Sequence, residues 1–250
     1  MKKIVCITGA TSGIGEATAR LLSKKDFSLI ICGRRKDRLK NLADELRRET
    51  EVETLSFDVR ERKAVSEAFS SLDELWKEID ILVNNAGNAH GMGPIDEGNI
   101  DDWDAMIDIN VKGLLYVSRA VLPGMVKRKR GHVINIGSIA GKEVYPGGNV
   151  YCASKYAVDA INKGMQIDLN KHGIKVSAVN PGLVNTEFSE VRFKGDKSKA
   201  EKVYQGLTPL SGHDVAELIY FIVSRPQHVN IADSIIFPTA QASATVVHRE

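Results

Sequence analysis

The sequence is poor in the features that mark disulfide-rich, metal-binding and membrane proteins. Its 250 residues contain only 3 cysteines, with no Cys-x-x-Cys pair, and its 6 histidines lack the spacing of metal ligands, so neither a disulfide framework nor a metal site is predicted. The apolar stretch near the amino terminus, residues 4–8, is shorter than the roughly 7–15 residues of a signal peptide and the about 20 of a membrane span. We therefore expect a cytoplasmic protein without a membrane partner.

An excess of charge of either sign is missing as well. The 34 basic side chains nearly balance the 32 acidic ones, and the formal net charge is +2, so no nucleic-acid partner is predicted. The one dense basic run, KRKR at residues 127–130, comes at the expected end of a long helix. Positive side chains suit the negative end of a helix dipole, and we interpret this run as a solvated helix end.

What the sequence does contain is an alternation of short apolar, β-branched runs with longer amphipathic stretches. This alternation is typical of βαβ units around a parallel sheet, and 43% apolar residues with 26% charged ones suit one globular domain over residues 1–250. The predicted fold is a doubly wound, Rossmann-type α/β fold with helices on both faces of about seven strands. The expected strands are residues 3–8, 27–32, 52–57, 80–85, 132–138, 175–180 and 234–237, and the expected helices are 13–25, 36–49, 61–77, 101–127, 151–171 and 212–224.

Only one connection between these elements is long. It runs from Pro181 to about Ser211 and contains proline, glycine, many charges and the amphipathic segment SKAEKVYQGL. A loop of this length inside a compact domain is more often functional than idle. We therefore predict a substrate lid around residues 184–211.

The first expected strand leads directly into a glycine-rich turn, TGATSGIG, at residues 8–15. Glycines let the backbone turn sharply and approach a pyrophosphate, while the start of the next helix offers free N–H groups to the phosphate. The alternative is a plain tight turn, but a turn that follows a strand and opens a helix has the context of a nucleotide site. Cofactor contacts are predicted from Gly9, Thr11, Ser12, Gly13, Ile14 and Gly15.

Two further strand ends belong to the same edge of the predicted sheet. Asp58 and Val59 follow the third strand, and Asn85, Ala86 and Gly87 follow the fourth. At this edge Asp58 is placed to accept a hydrogen bond from an adenine amino group, and the small Ala86 and Gly87 would let a ribose lie against the backbone. The alternative is that Asp58 caps a helix and the NNAG segment is an ordinary turn.

The second expected strand is followed by two arginines, Arg34 and Arg35. An acidic residue at this position favours the free 2′-hydroxyl of NAD, whereas arginines offer charge-assisted hydrogen bonds to the 2′-phosphate of NADP. The cofactor is therefore predicted to be NADP. The alternative is that the pair is the solvated basic start of the second helix.

Four polar side chains are expected to meet at this edge of the sheet. Tyr151 and Lys155 are four residues apart on a predicted helix, so they share one face. Ser138 ends the fifth strand, and Asn110 lies in the preceding helix. A Tyr-x-x-x-Lys pair alone is common by chance, but its place beside the predicted phosphate loop indicates a reactive centre.

These features together resemble the short-chain dehydrogenase/reductase family along essentially the whole chain. The resemblance implies that Tyr151 is the general acid/base and that Ser138 holds the substrate oxygen. It also implies that Lys155 binds the nicotinamide ribose and polarises Tyr151, while Asn110 anchors a water of a proton relay. The matching features, in order, are TGATSGIG, NNAG, Asn110, Ser138, Tyr151-x-x-x-Lys155 and Pro181-Gly182.

The resemblance extends to the cofactor and to the assembly. The pKa of a free tyrosine, near 10, must fall by about two to three units for this role, and an ammonium together with the positive nicotinamide ring would lower it. Thr186 resembles the family residue that holds the nicotinamide carboxamide, and a homotetramer is implied. Besides Tyr151 and Lys155, the later part of the chain is expected to contact the cofactor through Pro181, Gly182, Val184 and Thr186.

The segment after Pro181 narrows the expected substrate. Its run TEFSEVRFKGD, the later KAEKVY and HVNI, and the terminal VHR resemble the NADP-dependent 3-hydroxy acid dehydrogenases, which include the serine and allo-threonine dehydrogenases. A carboxylated substrate needs a cation, and Arg192, Lys194 or Arg249 is expected to supply it unless these are surface charges. The alternatives are a broad-specificity reductase of ketones, keto esters or pterins, and a non-catalytic NADP(H)-binding regulator.

Overall fold

Seven parallel strands form the central sheet of the structure, a computed structural model that describes residues 2–250. Residues 2–250 contain nine strands in all, which are β1 Lys3–Ile7, β2 Phe27–Gly33, β3 Val52–Ser56, β4 Ile79–Asn84, β5 Gly131–Ile136, β6 Ile174–Pro181, β7 Val184–Asn185, β8 Leu210–Ser211 and β9 Asp233–Ile236. The strand order in the sheet is β3-β2-β1-β4-β5-β6-β9, and β7 pairs with β8 in a separate parallel ribbon.

Helices cover both faces of this sheet. They are α1 Gly13–Ser23, α2 Lys36–Leu46, α3 Arg62–Ser70, α4 Ile100–Ile107, α5 Leu114–Arg128, α6 Asn149–Leu169, α7 Phe188–Arg192, α8 Lys197–Lys202 and α9 Gly212–Val223. Short 3₁₀ turns lie at Ile95–Glu97, Ile139–Gly141 and Asn170–His172. None of the helices described within residues 2–250 is both long and apolar enough to cross a membrane.

The alternation of side chains along β1 shows how both faces are buried. Val5 and Ile7 belong to a core cluster with α1, α2 and α9, whereas Ile4 and Cys6 belong to the opposite cluster with α3, α5 and α6. Each fully buried leucine or isoleucine side chain contributes roughly 1.5–3 kcal/mol relative to an exposed one. The predicted doubly wound α/β fold is therefore confirmed.

The order of the strands places the binding crevice. From β1 the chain winds outward in one direction through β2 and β3, and it then returns to place β4, β5, β6 and β9 on the other side. Ligands of such sheets bind at the carboxyl ends of the strands where the winding reverses. The crevice is therefore expected above the ends of β1 and β4.

The long helix expected at residues 101–127 is interrupted. A π-helical turn, Asp108–Gly113, separates α4 from α5, and such turns are frequent at functional sites. The basic run after it does end α5, as predicted: Arg128 donates a hydrogen bond to the Ile79 carbonyl, and Arg130 pairs with Asp80. These contacts anchor the end of the helix to the start of β4.

The long connection after β6 contains regular structure. The predicted lid, residues 184–211, begins with β7, continues through α7 and α8, and ends with β8, which pairs with β7. The pairing of β7 with β8 joins the two ends of this segment, so that it is not an open loop. Helix α7 lies against the crevice, as do residues 184, 186 and 187 before it and residues 193, 203 and 204 after it.

Candidate active site

A cavity of about 580 Å³ opens at the carboxyl edge of the sheet, within the range of roughly 300–1,000 Å³ that is usual for ligand sites. Of the residues predicted from the sequence, Gly15, Asn110 and Lys194 do not line this cavity. The predicted residues that do line it are Gly9, Thr11, Ser12, Gly13, Ile14, Arg34, Arg35, Asp58, Val59, Asn85, Ala86, Gly87, Ser138, Tyr151, Lys155, Pro181, Gly182, Val184, Thr186, Arg192 and Arg249.

The glycine-rich turn needs its glycines. Gly9 and Gly13 have φ values of +65° and +56°, in the left-handed region where a side chain is strained. A Cβ atom on Gly15 would lie 2.4 Å from the Gly9 carbonyl oxygen. Gly15 thus contributes by allowing α1 to approach the turn, although it does not itself line the cavity.

The turn after β1 is tied to the end of β4. The Asn85 amide Nδ2 donates to the Thr8 carbonyl at 2.8 Å, and the backbone N–H groups of Asn85 and Ala86 both donate to Thr8 Oγ1 at 3.0 Å. The side chain of Ser12, the residue before α1, makes no capping hydrogen bond within the described chain. The first N–H groups of α1 therefore suit a phosphate.

The two predicted arginines lie at the other end of this turn. Arg34 Nη1 is 3.3 Å from Asp58 Oδ2, and Arg35 donates to the carbonyl and hydroxyl oxygens of Thr11. Burial alone would raise the pKa of Asp58, but hydrogen bonds from Arg60 and the charge of Arg34 outweigh it, so this pKa is lowered. The adenosine end of the cavity therefore combines an ionised carboxylate with several guanidinium groups.

Tyr151 and Lys155 lie on α6, one turn apart, and both are buried. Lys155 Nζ donates to the Ile136 carbonyl at 3.0 Å and lies 6.0 Å from the centroid of the Tyr151 ring. Ser138 follows the end of β5, and its hydroxyl accepts a hydrogen bond from the Ala140 N–H at 3.1 Å. The structure thus brings these three predicted residues together in one cavity.

The pKa values of this group differ from the simplest expectation. Burial raises the pKa of Tyr151, as does neighbouring Tyr145, while Ser138 and Arg192 only partly offset the rise. Burial also lowers the pKa of Lys155 to about 8. The groups of the chain itself therefore raise the pKa of Tyr151, because loss of hydration outweighs the nearby positive charges. The lowering of this pKa with the positive nicotinamide ring bound stays a prediction.

Asn110 has a different place from its predicted partners. It lies in the π-helical turn, where its Oδ1 accepts from the Asn88 N–H at 2.9 Å and its Nδ2 donates to the Asn88 carbonyl at 2.8 Å. The same Nδ2 donates to Ser154 Oγ at 3.0 Å. Its side chain therefore holds the loop after β4 against α6, and its role in a water relay stays a prediction.

Arg192 is the cation beside the reactive tyrosine. Its Nη1 donates to the Tyr145 hydroxyl at 2.9 Å, its Nε donates to the Gly91 carbonyl at 3.2 Å, and its Cζ lies 5.6 Å from the centroid of the Tyr151 ring. Its Nη2 is buried and has no hydrogen-bond partner among residues 2–250. Because a buried, unsatisfied charged donor is unfavourable, this atom is poised for an anion.

The other two candidate cations are held elsewhere. Lys194 Nζ lies 2.9 Å from Asp102 Oδ2, on the outer side of the lid segment. Arg249 lines the cavity, but its guanidinium donates to the carbonyl oxygens of Gln205 and Val203. Of the three cations, Arg192 has the geometry that suits a substrate anion.

Several residues at the site were not singled out from the sequence. Phe188 packs against Tyr151 with ring centroids 5.6 Å apart, and Gln241 Oε1 accepts from the Leu183 N–H at 2.8 Å. Tyr145 precedes α6 in a loop without periodicity, so no sequence signal marks it. Arg38 is on α2 and pairs with Glu187, which lines the cavity. Its position four residues after Arg34 is a helical spacing that could have identified it.

The residues present fit a dinucleotide. The uncapped start of α1, the close-approach glycines and the arginines after β2 suit the pyrophosphate and a 2′-phosphate. Thr186 covers the turn, since a Cβ on Gly13 would lie 3.2 Å from the Thr186 Cβ. Lys155 lies deep in the cavity beside Tyr151, where it would reach a ribose.

Known proteins of similar sequence agree with this geometry. A family model described as short chain dehydrogenase matches residues 3–197. The NADP-dependent 3-hydroxy acid dehydrogenase of Escherichia coli strain K12 is 47% identical over 249 residues, covering 99% of this chain and 100% of the relative. Sulfoacetaldehyde reductase 2 of Chromohalobacter salexigens is 43% identical over 252 residues, covering 100% of both chains.

A solved structure shows the same similarity in three dimensions. The closed form of serine dehydrogenase complexed with NADP+ superimposes with a TM-score of 0.93 and 47% sequence identity, covering 99% of this chain and 100% of that one. The chain therefore belongs to the short-chain dehydrogenase/reductase family.

Proposed function

We propose that this oxidoreductase transfers a hydride between NADP(H) and a small 3-hydroxy acid, or the corresponding 3-oxo acid or semialdehyde. The observation that carries the proposal is the buried, unpartnered Nη2 of Arg192, whose guanidinium lies 5.6 Å from the Tyr151 ring. A substrate whose anionic group is bound at Arg192 would have its reacting carbon, which bears the hydroxyl or carbonyl oxygen, near Tyr151. In substrates of serine, allo-threonine or 3-hydroxypropionate type, the anionic group and this carbon are separated by such a short distance.

The names of the similar proteins support an anionic substrate. One is a 3-hydroxy acid dehydrogenase, one is a serine dehydrogenase and one is a sulfoacetaldehyde reductase. Carboxylates and sulfonates share a compact negative charge with oxygen acceptors, and a guanidinium pairs with both. The shared chemistry is therefore a short carbonyl or hydroxy compound with an anion at its far end.

Both the residues of the cavity and the names of the similar proteins support the assignment of NADP as the cofactor. Arg34 and Arg35 line the adenosine end of the cavity, and the similar proteins are named as NADP-dependent or were solved with NADP+. When bound, the nicotinamide supplies or accepts the hydride. The 2′-phosphate would find charge-assisted hydrogen bonds at the arginines after β2.

The chain's own residues would handle the proton and the substrate. Tyr151 exchanges a proton with the substrate oxygen, and Ser138 positions that oxygen. Burial raises the pKa of Tyr151, so the chain alone keeps this side chain in the protonated form, which can give its proton to a carbonyl oxygen. Phe188 packs on the Tyr151 ring, with the ring centroids 5.6 Å apart.

The experiment compares steady-state kinetics of the wild type and Arg192→Met with 3-hydroxypropionate, serine and an uncharged secondary alcohol. Loss of a charge-assisted hydrogen bond should raise the Michaelis constant for the two acids about 10- to 150-fold, with little change for the alcohol. Arg48→Met, on the exposed surface of the turn after α2, serves as the matched control.

Three results would count against the proposal. A wild-type preference for the uncharged alcohol would favour a broad-specificity carbonyl reductase. Absence of turnover with every acid and carbonyl tested would favour a non-catalytic NADP(H)-binding regulator. An Arg192→Met enzyme with unchanged Michaelis constants would remove Arg192 from the substrate site.

A further inference from the structure

A carboxylate from the lid segment lies between Arg35, which lines the end of the cavity where the adenosine is predicted, and Arg38, which is outside the lining. Glu187 Oε2 is 2.8 Å from Arg35 Nη1, and Glu187 Oε1 is 2.5 Å from Arg38 Nη1. Burial would raise the pKa of Glu187, but hydrogen bonds and charge from both arginines outweigh it and lower this pKa. Glu187 is thus an ionised group at the place where a 2′-phosphate is expected.

The donors of Arg35 are already in use in this arrangement. Its Nε and Nη2 donate to Thr11, and its Nη1 donates to Glu187. A guanidinium has five N–H donors in a rigid plane, so a second anion cannot bind Arg35 in bidentate fashion without displacing one of these partners. The exposed Glu187 carboxylate is easier to displace than the backbone and hydroxyl oxygens of Thr11, which belong to the phosphate turn.

Glu187 is also connected to the reactive end of the cavity. It directly precedes α7, whose first residue, Phe188, packs on Tyr151 and whose last residue, Arg192, donates to Tyr145. The five-residue helix α7 therefore spans from the arginines of the adenosine end to the tyrosine of the reactive end. An event at Glu187 reaches the substrate side through one short, rigid element.

We propose that Glu187 is a specificity-determining residue that competes with the 2′-phosphate for Arg35 and Arg38, so that the phosphorylated cofactor releases α7 and NAD does not. The inference rests on the proposed use of NADP. It adds Glu187, a residue of the lid segment, to the arginines that are expected to bind the 2′-phosphate. A cofactor without the 2′-phosphate would leave Glu187 paired with Arg35 and Arg38, and these ion pairs would keep α7 bound to the start of α2. The enzyme would then distinguish NADP from NAD by whether α7 is released, as well as by the contacts between the 2′-phosphate and the arginines.

The first test measures binding of adenosine 2′,5′-bisphosphate and of 5′-AMP by calorimetry to the wild type, Glu187→Gln and Glu190→Gln. Removing a competing surface ion pair should tighten binding of the bisphosphate about two- to fivefold in Glu187→Gln, with no change for AMP. Glu190 is exposed on the same helix, so Glu190→Gln changes the net charge equally and should alter neither constant.

The second test measures hydrogen exchange of the backbone amides of residues 187–193. In the wild type the bisphosphate, but not AMP, should speed exchange in this segment. In Glu187→Gln the exchange should already be fast and should not respond to the bisphosphate. Neither measurement depends on turnover.

The outcomes separate this inference from the assignment of NADP. If the wild type binds the bisphosphate no better than AMP, the use of NADP is wrong and the inference falls with it. If the wild type prefers the bisphosphate but Glu187→Gln binds it equally or more weakly, Glu187 orients the arginines or is neutral, and the competition is refuted. Exchange in residues 187–193 that responds alike to both ligands would refute the link to α7.

Discussion

At the scale of single residues, burial shifts the pKa values of two side chains on α6 in opposite directions. The phenol of Tyr151 and the ammonium of Lys155 both lose hydration, which disfavours the phenolate and the ammonium ion alike. The pKa of Tyr151 is therefore raised, and that of Lys155 is lowered to about 8. The guanidinium of Arg192 lies 5.6 Å from the centroid of the Tyr151 ring, where it is proposed to bind the substrate anion.

The raised pKa of Tyr151 has a consequence for the pH dependence of the two directions. Oxidation needs the deprotonated tyrosine as base, so its rate should rise as the pH increases above neutrality, whereas the rate of reduction should not rise. Tyr151→Phe should lower kcat in both directions about 10²- to 10⁴-fold. Initial rates measured across pH would check this.

Tyr145→Phe is the matched control for that measurement, because Tyr145 lies in the same cavity and is also buried. It should raise the Michaelis constant through Arg192 and, because Tyr145 contributes to the raised pKa of Tyr151, shift the rise of the oxidation rate to lower pH without abolishing it. A rate of oxidation that does not change with pH would contradict the assignment of Tyr151 as the base.

Lys155 gives a second pH-dependent expectation, for stability. Its pKa in the folded protein, about 8, is below the 10.5 of an unfolded chain, so the unfavourable burial of the ammonium is fully present below about pH 8 and disappears as the pH rises towards about 10.5. Lys155→Met lacks this unfavourable contribution. Its free energy of unfolding relative to wild type should therefore decrease by roughly 3 kcal/mol over this pH range.

Urea unfolding at several pH values would measure this difference. Lys24→Met, on the exposed end of α1, accounts for the general effect of removing a lysine. A difference that stays constant with pH would show that burial does not penalise the Lys155 ammonium.

At the scale of elements, the site depends on how closely α1 approaches the turn after β1. Contacts between α1 and α9 and the hydrogen bonds from Asn85 to Thr8 and Gly9 hold this turn in place. The interrupted helix α4–α5 acts similarly on the other side, where its π-helical turn lets Asn110 fasten the loop after β4. Two helix starts, rather than isolated side chains, therefore shape the cofactor half of the cavity.

A pair of glycine substitutions tests the approach of α1. In Gly15→Ala the new Cβ would lie 2.4 Å from the Gly9 carbonyl oxygen, so we expect a loss of about 1–3 kcal/mol in stability and loss of dinucleotide binding. Gly164 lies inside α6, and no atom outside that helix in the described chain lies within 4 Å of a Cβ placed there. Gly164→Ala should instead stabilise by about 0.5–1 kcal/mol.

Thermal unfolding and fluorescence titration with NADPH would measure both effects. Full nucleotide binding by Gly15→Ala would show that α1 has room to move, and would contradict the close approach described here.

At the scale of the whole molecule, the cavity lies along one edge of the sheet. The ends of β1 to β4 line the side where the cofactor is predicted, β5 and β6 with α6 line the side where the reaction is predicted, and residues of the lid segment line both. The sheet has β3 at one edge and β9 at the other, and Ile235 on β9 is half exposed. A homotetramer and a cytoplasmic location stay predictions from the sequence.

The tetramer is open to a direct measurement. Light scattering coupled to gel filtration should give a particle about four times the mass of the 27.4 kDa chain. If the edge strand takes part, as apolar surfaces of symmetric assemblies do, Ile235→Arg should yield a smaller particle. Leu75→Arg, a similar exposed apolar position away from that edge, should not, and a monomeric wild type would refute the prediction.

The sequence by itself determined the order of the sheet strands and main helices along the chain, and half of the residues that line the cavity. Apolar periodicity and glycine turns are local signals, and parallel strands bring their carboxyl ends to one edge whatever the details of packing. For this reason Gly9, Arg35, Ser138, Tyr151 and Lys155 were predicted in one site, and the structure places them there.

Only the tertiary structure decided which charges face which partners. Arg192 and Lys194 are two residues apart, yet one meets Tyr145 in the cavity and the other pairs with Asp102 outside it. Arg35 and Glu187 are separated by 152 residues and still form an ion pair. Such pairings, and the burial that raises the pKa of a tyrosine, depend on the packing of distant segments, which no local pattern encodes.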